Sequence, residues 1–272
     1  MKSIASFAAL MVALSCGSAG AALIEEFLFS DPVGTALPAT INSVVGGHPW
    51  ADDIQGDLNG NTTNGLGQYS LANKSNNELG TALINNAPNI TTGTVYGVME
   101  LTWAFDTGSL NTAENEEIRL SIINLDTAGS SSVTAEFAII RQDDNTVTFS
   151  GAAVGTGSAS IVGSTVNTTQ SSNFIGVVGV NLDTNIYSVY YSADGGGTFS
   201  EFSGGLIDTA RIAAQVRMVL NNDLSQDSVL IDRVALYTHN PYPGQIPGVP
   251  EPSTVSLVLL SLVGLNGVRR SV

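Results

Sequence analysis

The amino-acid sequence predicts an all-β sandwich, on three observations. The composition favours Gly, Ser, Thr, Asn and Val over strong helix formers, and 29 of the 272 residues are glycine, which is typical of strands joined by tight turns. Short apolar or alternating blocks recur along the middle of the chain, with turn residues between them. The sequence has no fixed-period repeat, which argues against solenoid and propeller arrays.

Eight blocks are predicted to be strands: 24–29, 95–105, 118–125, 133–140, 174–180, 186–192, 213–220 and 229–237. Turn signals such as Asp183-Thr184-Asn185 and Asp194 to Gly197 separate several of them. Eight or more strands in one chain of this length indicate a single sandwich domain. Residues 56–87 are rich in Asn and Gly, so we expect long surface loops around one or two short edge strands. Such loops are either a binding surface or solvated connections.

The first 21 residues are predicted to be a signal peptide. Lys2 supplies a positive start, and residues 4–14 form an apolar run that is shorter than the ~20 residues of a membrane span. Ala19-Gly20-Ala21 fits the small-x-small pattern that signal peptidase recognises, which predicts export and cleavage before Ala22. Cys16 leaves a second hypothesis open, a lipid-modified N-terminus.

The segment 249–272 contains a second apolar stretch with distinctive flanks. Pro250-Glu251-Pro252 precedes the stretch 255–268, and Arg269-Arg270 follow it. As a helix the stretch would extend about 21 Å, against roughly 30 Å of hydrocarbon, so a permanent span is not expected. The paired arginines fit a segment whose end stays on the cytoplasmic side of the membrane. The alternative is a terminal strand or helix of the core.

This order of Pro-Glu-Pro, apolar stretch and terminal arginines resembles the PEP-CTERM sorting signal of Gram-negative bacteria, over residues 249–270. The resemblance implies that the tail holds the exported protein transiently at the inner membrane. An exosortase would then recognise Pro250, Glu251 and Pro252 and remove the helix, with Arg269 and Arg270 as the charges that stop its passage. The implied destination is the cell surface or an extracellular matrix that contains exopolysaccharide.

The net charge of the chain limits the kinds of partner that it can bind. The chain has 9 Lys and Arg against 24 Asp and Glu, a net charge of −15. Removal of Lys2, Arg269 and Arg270 with the terminal segments would bring this to near −18 (−15 − 3). Such a surface repels phosphate backbones, so nucleic acid is not an expected partner.

Cys16 is the only cysteine and would leave with the signal peptide. Because the body would then contain no disulfide, apolar burial and strand pairing must stabilise it.

Pattern-level features of the body resemble laminin-G-like and concanavalin-like jelly-roll domains. These features are the early Glu26-Phe27 strand leading to Gly34-Thr35-Ala36-Leu37, the Trp50 loop, the hairpin 180–199 and the closing strand 229–234. The resemblance implies an antiparallel jelly roll, placed here at residues 22–240 and followed by a Pro/Gly linker at 241–248. In that family the first and last strands pair in one sheet, and the concave face binds sugars in some members.

The sequence contains no recognisable catalytic set. A glycoside hydrolase needs two carboxylates roughly 5 to 10 Å apart, which acids at alternate positions of one strand would supply. Glu100 stands alone in its block, whereas Glu116 and Glu117 are adjacent and therefore face opposite sides. The two histidines, His48 and His239, offer little material for zinc sites or Ser-His-Asp catalysis. We expect no enzyme, with a secreted carbohydrate-active enzyme, a hydrolase or lyase, as the alternative.

No metal site or other cofactor is predicted. Asp57-x-Asn59-x-Asn61 begins like a calcium loop, but Thr62 replaces the turn glycine and Gln68 replaces the bidentate glutamate. Ca²⁺ is the one cofactor that the sequence leaves open.

Two motifs remain as candidate sites. Ser192-x-Asp194-x-Gly196-x-Thr198-Phe199 matches the Asp-box, with Phe in place of the usual Trp, and a structural role is predicted because Asp194 can bond amides across a hairpin. Trp50, with Asp52 and Asp53, is the candidate glycan contact, since an exposed indole can stack on a sugar ring. Trp103 lies among apolar residues and is expected in the core. The sequence thus predicts an exported, noncatalytic surface or matrix protein with a carbohydrate-binding or adhesive role.

Overall fold

The computed structural model is an antiparallel jelly-roll sandwich of two sheets, which confirms the predicted fold class. It describes residues 23–29, 50–52, 62–63, 66–70, 78–83, 90–104, 117–124, 133–143, 145–153, 165–167, 171–207, 211–221 and 228–247. Within these ranges every regular element is a strand. The predicted signal peptide, the sorting tail with its apolar stretch and the Asp57 loop lie outside the described residues. Over the described ranges, no helix is long and apolar enough to cross a membrane.

The strands are β1 (Leu23–Phe27), β2 (Trp50–Asp52), β3 (Thr62–Thr63), β4 (Tyr69–Ser70), β5 (Glu78–Leu83), β6 (Thr94–Ala104), β7 (Glu117–Ile123), β8 (Val133–Asp143), β9 (Thr146–Ala153), β10 (Thr165–Asn167), β11 (Ser171–Asn181), β12 (Ile186–Ser192), β13 (Ser200–Leu206), β14 (Gln215–Asn221) and β15 (Ser228–Tyr237).

The strands form an eight-stranded and a seven-stranded sheet. The first has the order β13-β12-β11-β6-β15-β4-β3, with β1 also paired to β15, and the second has the order β10-β9-β8-β7-β14-β5-β2. Strand β1 runs antiparallel to β15, with Leu23 opposite Tyr237 and Phe27 opposite Val234. The pairing of first and last strands that the resemblance implied is therefore confirmed for the described chain.

One apolar core fills the space between the sheets. Its residues come from alternate positions of each strand, as in β7, where Ile118, Leu120 and Ile122 are fully buried. Trp103 of β6 is also fully buried, as predicted. Gly176 of β11 makes room for an aromatic ring of the opposite sheet, because a Cβ at this position would lie 1.9 Å from Phe137 Cε1.

All eight predicted blocks overlap strands, but several strands were not predicted. These are β2, β9, β10 and β13, and the region 56–87 holds three strands, β3 to β5, where one or two were expected. Strands β2 and β10 have three residues each, and β13 contains two adjacent glycines. Pairing with neighbouring strands specifies these three, because they are too short or too polar to show an apolar alternation. Strand β9 does alternate, with Val147 and Phe149 in the core, and its signal was overlooked.

Candidate functional site

The outer face of the seven-stranded sheet carries a network of charged side chains. In β7 the residues Glu117, Arg119 and Ser121 alternate with the core residues, so they face away from the second sheet. Ser121 lies opposite Arg217 of β14 on one side and Glu136 of β8 on the other. Three adjacent strands thus bring two carboxylates, two guanidinium groups and a hydroxyl onto one surface.

Arg119 is at the centre of this network. Its Nη2 donates to Glu117 Oε2 at 2.6 Å, and its Nη1 lies 3.9 Å from Glu136 Oε1. The hydrogen bond to Glu117 raises the pKa of Arg119 above its ordinary value, so the side chain is cationic. Among the residues that the structure describes, the buried Nε–H of Arg119 has no acceptor. The guanidinium therefore bridges two acids and still holds an unfilled donor.

Hydrogen bonds fix the polar groups around Arg119. The Ser121 hydroxyl donates to Glu136 Oε2 at 3.1 Å, and Ser121 itself is fully buried. Thr134, also on this face of β8, donates to the Ile212 carbonyl at 2.8 Å. The Arg119 side chain is 33 % exposed and that of Glu136 17 %, so solvent reaches a network whose side-chain directions are already set.

The outer face of the eight-stranded sheet holds a second arginine between two glutamates. Arg233 of β15 donates through Nε to Glu26 Oε1 at 2.7 Å and through Nη1 to Glu100 Oε1 at 2.8 Å. Tyr242 donates to the same Glu100 oxygen at 2.8 Å. Burial together with the Glu100 carboxylate raises the pKa of Tyr242, so the phenol stays protonated and remains a donor.

Residues 240–246 form a strap across this second face. Ile246 and Tyr242 pack on an outer cluster of apolar residues, which comprises Tyr96, Val98, Ile175, Val177, Tyr190, Ala235 and Tyr237. The Tyr242 ring lies 4.7 Å from that of Phe199, and Asn240 Nδ2 donates to the Ile246 carbonyl at 2.9 Å. The strap occupies most of the predicted linker, 241–248, and packs on the outer cluster.

The Asp-box hairpin follows β12 and its bonds are local. Asp194 accepts from the Ser192 hydroxyl at 2.6 Å, the Thr198 amide at 3.0 Å and the Thr198 hydroxyl at 2.8 Å. The Ser192 bond, followed by the two from Thr198, lowers the pKa of Asp194 to about 2. Gly196 has a φ of +93° and donates its amide to Ser192 Oγ at 2.8 Å. All these groups are used within the turn.

Of the remaining candidate residues, the structure describes Trp50 and Asp52, which lie on a strand other than the three of the Arg119 network. Trp50 and Asp52 belong to β2, the edge strand of the seven-stranded sheet, where a loop was expected. Asp53 lies outside the described residues, as do the sorting residues Pro250, Glu251 and Pro252 and the charges Arg269 and Arg270. No group of three or more His, Cys, Asp or Glu side chains in the described ranges could hold a metal ion.

From the sequence, Glu100 was considered as a lone acid and Glu117 as one of an adjacent pair with Glu116, and the arginine partners of both were missed. The signal for the first network was local, since Arg119 and Ser121 lie on the predicted strand 118–125 and Glu117 directly precedes it, at the spacing that places three polar side chains on one face. The second network had no local signal, because Arg233 and Glu26 are 207 positions apart.

No family model and no curated protein matches this chain. A crystal structure of the botulinum neurotoxin serotype G binding domain is 11 % identical, with 89 % of this chain and 51 % of that chain covered and a TM-score of 0.47. The CBM2 module of the evolved Dit of Lactobacillus casei BL23 phage J-1 is 12 % identical, with coverage of 82 % and 99 % and a TM-score of 0.46.

A legume lectin-like domain from Entamoeba histolytica is 6 % identical, with 62 % of this chain and 83 % of that chain covered and a TM-score of 0.40. The chain spans about half the length of the toxin binding domains that it matches. These identities and scores are low, so the likenesses carry no argument about what this chain binds.

Proposed function

We propose that this chain is an exported, noncatalytic protein of the cell surface or extracellular matrix, and that it binds carbohydrate on the outer face of the seven-stranded sheet. The observation that carries the proposal is the Arg119 network, in which one partly exposed guanidinium is held between Glu117 and Glu136.

The chemistry of the network suits a polyhydroxylated ligand. Each sugar hydroxyl can donate to a carboxylate and accept from a guanidinium, and both kinds of group lie side by side around Arg119. Hydrogen bonds to charged groups contribute about 1.5–3 kcal/mol each. Because Ser121 and Arg119 already hold the carboxylates in place, little side-chain entropy is lost on binding.

Electrostatics favour a neutral glycan. The two glutamates of the network balance Arg119 and Arg217 of the same face, whereas the chain as a whole has a net charge of −15. An anionic polysaccharide would approach against this field, and its association would slow further at low ionic strength. We therefore expect neutral polysaccharides to be retained better than uronic-acid polymers.

Binding can be tested with immobilised exopolysaccharide and glycan arrays, using the exported chain and its Arg119→Lys and Arg119→Met variants. Lysine keeps the charge but loses the bidentate hydrogen bonding of the guanidinium. Retention of the protein on the polysaccharide should therefore fall in Arg119→Lys and fall further in Arg119→Met. Glu201→Gln, an exposed site on β13, is the control. Equal retention of all four proteins would rule out this face as the site.

The alternative, a secreted hydrolase, is favoured by one observation, the presence of Glu117 and Glu136 on one face. Both carboxylates contact the same guanidinium, which supports a binding network over an acid and nucleophile with separate surroundings. Incubation of the protein with its retained polysaccharide should release no reducing ends. Release that disappears in Glu136→Gln would establish the enzyme and end the noncatalytic proposal.

Export and sorting are supported by the terminal segments of the sequence alone. We infer that signal peptidase removes residues 1–21, and that the tail is held at the inner membrane until an exosortase acts at Pro250-Glu251-Pro252. Mass spectrometry of the surface protein should find an unmodified start at Ala22 or Leu23 and no residues 255–272. A lipid on Cys16, or an intact tail in cells that have an exosortase, would contradict this sorting route.

A further inference from the structure

We propose a second binding site, a polar cleft at one end of the sandwich that takes the single neutral sugar residue at the end of a glycan chain. The cleft has a volume of about 280 Å³ and lies where β6 begins and where β11 and β15 end. Thr92, Gly93, Asn181, Asp183, Thr238 and His239 are among the residues that line it. The ligand class rests on the proposed function, but none of these residues belongs to the Arg119 network.

The cleft is built from two turns that are bonded to each other. Asn181 Oδ1 accepts from the amides of Asp183 at 3.0 Å and Thr184 at 2.9 Å, which fixes the turn after β11. Asp183 Oδ2 accepts from the Gly93 amide at 3.0 Å, and the Leu182 amide donates to the Gly93 carbonyl at 2.9 Å. These bonds hold the carboxylate in one position before any ligand arrives.

Gly93 keeps one wall of the cleft open. Its φ is +78°, a conformation that a side chain would strain, and a Cβ placed there would meet no atom within 4 Å. The space beside the Gly93 backbone is therefore empty because the turn requires glycine. A ligand can approach the main chain closely at this point.

The exposed groups of the cleft match the hydroxyls of a sugar. Asp183 is exposed, and within the described residues only its Oδ2 is bonded, so Oδ1 can accept from a ligand hydroxyl. Thr92 is exposed and its hydroxyl both donates and accepts. His239 contacts Thr238 Oγ1 through Nδ1 at 2.9 Å, which leaves Nε2 for the ligand.

Charge and size exclude other ligand classes. A phosphate or carboxylate would meet the Asp183 anion on a strongly acidic protein, and one carboxylate is too few for a divalent cation. The volume is at the lower end of the roughly 300–1,000 Å³ of small-molecule sites. This size suits one sugar ring, so the cleft would hold the end of a glycan chain and the face around Arg119 would hold its interior.

The test compares two adjacent exposed threonines, of which only Thr92 lines the cleft. Saturation-transfer NMR would measure binding of the methyl glycosides of glucose, galactose, mannose and N-acetylglucosamine to the exported chain. Thr92→Phe should fill the cleft and abolish binding of the glycoside that the wild type binds, whereas Thr91→Phe should leave it unchanged. Asp183→Asn keeps an acceptor for the Gly93 amide and should weaken binding by about tenfold.

The outcomes distinguish the proposed cleft site from the proposed site on the outer face of the seven-stranded sheet. Monosaccharide binding that survives Thr92→Phe, or that is lost only in Arg119→Met, would overturn the cleft and leave the face proposal standing. Binding that is lost in Thr92→Phe, with no polysaccharide retained by the wild type, would support the cleft and overturn the face. No binding of any methyl glycoside at millimolar concentration would also overturn the cleft, whatever the face retains.

Discussion

Both outer faces of the sandwich place an arginine between two glutamates, yet the two arrangements differ in how tightly the arginine is held. Arg233 bonds Glu26 and Glu100 at 2.7 and 2.8 Å, and its side chain is 19 % exposed. Arg119 bonds Glu117 at 2.6 Å but lies 3.9 Å from Glu136, with 33 % of its side chain exposed. The same two residue types therefore form a clamp with two short ion pairs on one sheet and a network with one short and one long ion pair on the other.

The closed face is covered by the chain itself. The strap, residues 240–246, adds the Tyr242 hydroxyl to the Arg233 group and shields the outer cluster. Burial alone would lower the pKa of Arg233, but its bonds to Glu100 and Glu26 raise it instead. A clamp that joins β1, β6, β15 and the strap stabilises the fold, and its arginine is held by two short ion pairs. We assign binding to the network on the seven-stranded sheet because Arg119 is the more exposed arginine, at 33 % against 19 % for Arg233, and because its Nε–H has no acceptor among the described residues.

The largest expected effect is the fall in folding stability when the clamp is removed. Arg233→Met would leave Glu26 and Glu100 facing each other in a half-buried site, and we expect the free energy of unfolding to fall by about 2–3 kcal/mol. Urea denaturation followed by tryptophan fluorescence measures this. Arg119→Met is the matched control and should cost about 1 kcal/mol or less, because the Arg119 side chain is more exposed than that of Arg233 and makes one short ion pair instead of two. Equal costs for the two variants would remove the distinction between clamp and network.

The strap provides the next test. Tyr242→Ala removes the ring from Phe199 and the hydroxyl from Glu100, and should lower the free energy of unfolding by about 2 kcal/mol. The native variant should also bind an apolar dye, since the outer cluster becomes exposed. Tyr242→Phe separates the two contributions, because it loses only the hydrogen bond, about 1 kcal/mol. An alanine variant as stable as the wild type would show that the strap is not closed in solution.

These two faces also show what a sequence can and cannot predict. The alternation of apolar and polar residues in β7 and β15 could be recognised in the sequence because one face of each strand contacts the core. This alternation located Arg119 and Arg233 on strands. The Asp194 turn could be anticipated because its bonds lie within seven consecutive residues, Ser192 to Thr198. In contrast, the partners of Arg233 depend on which strands become neighbours, and no local pattern specifies that.

The docking of the strap could not be predicted from the sequence, for a related reason. Pro241, Pro243 and Gly244 are typical of a linker, and the sequence showed no reason for Tyr242 and Ile246 to dock. Their contacts form only after β6, β11 and β15 have presented a continuous apolar surface on the outer face. The cleft likewise joins turns that are 90 positions apart, through Gly93 and Asp183.

On the outer face of the seven-stranded sheet, Ser121→Ala tests whether the network is held in place for binding. The substitution removes the hydrogen bond to Glu136 and should cost about 0.5–1 kcal/mol of folding stability, because the glutamate can still reach water. Retention on polysaccharide should weaken as Glu136 becomes mobile. Thr198→Ala, which removes a hydroxyl bond in the distant Asp-box turn, is the control and should leave retention unchanged.

The smallest effect concerns Asp232, whose position beside the clamp is unfavourable for a carboxylate. Burial, with a further contribution from the Glu100 charge, raises the pKa of Asp232 above its ordinary 3.8. The folded protein therefore binds a proton more tightly than the unfolded chain, and stability falls as pH rises from about 3.8 through the raised pKa. Above that window the ionised side chain is a constant penalty.

Asp232→Asn should remove the penalty while keeping an acceptor for the Gln68 amide, which donates to Oδ1 at 2.6 Å. We expect the variant to be more stable than the wild type at pH 7, by on the order of 0.5 kcal/mol. The difference should vanish near pH 3, where Asp232 is protonated in both states. Urea unfolding at the two pH values measures this. A variant less stable at pH 7 would mean that the carboxylate contributes to the clamp, and the closed face would then depend on three acids instead of two.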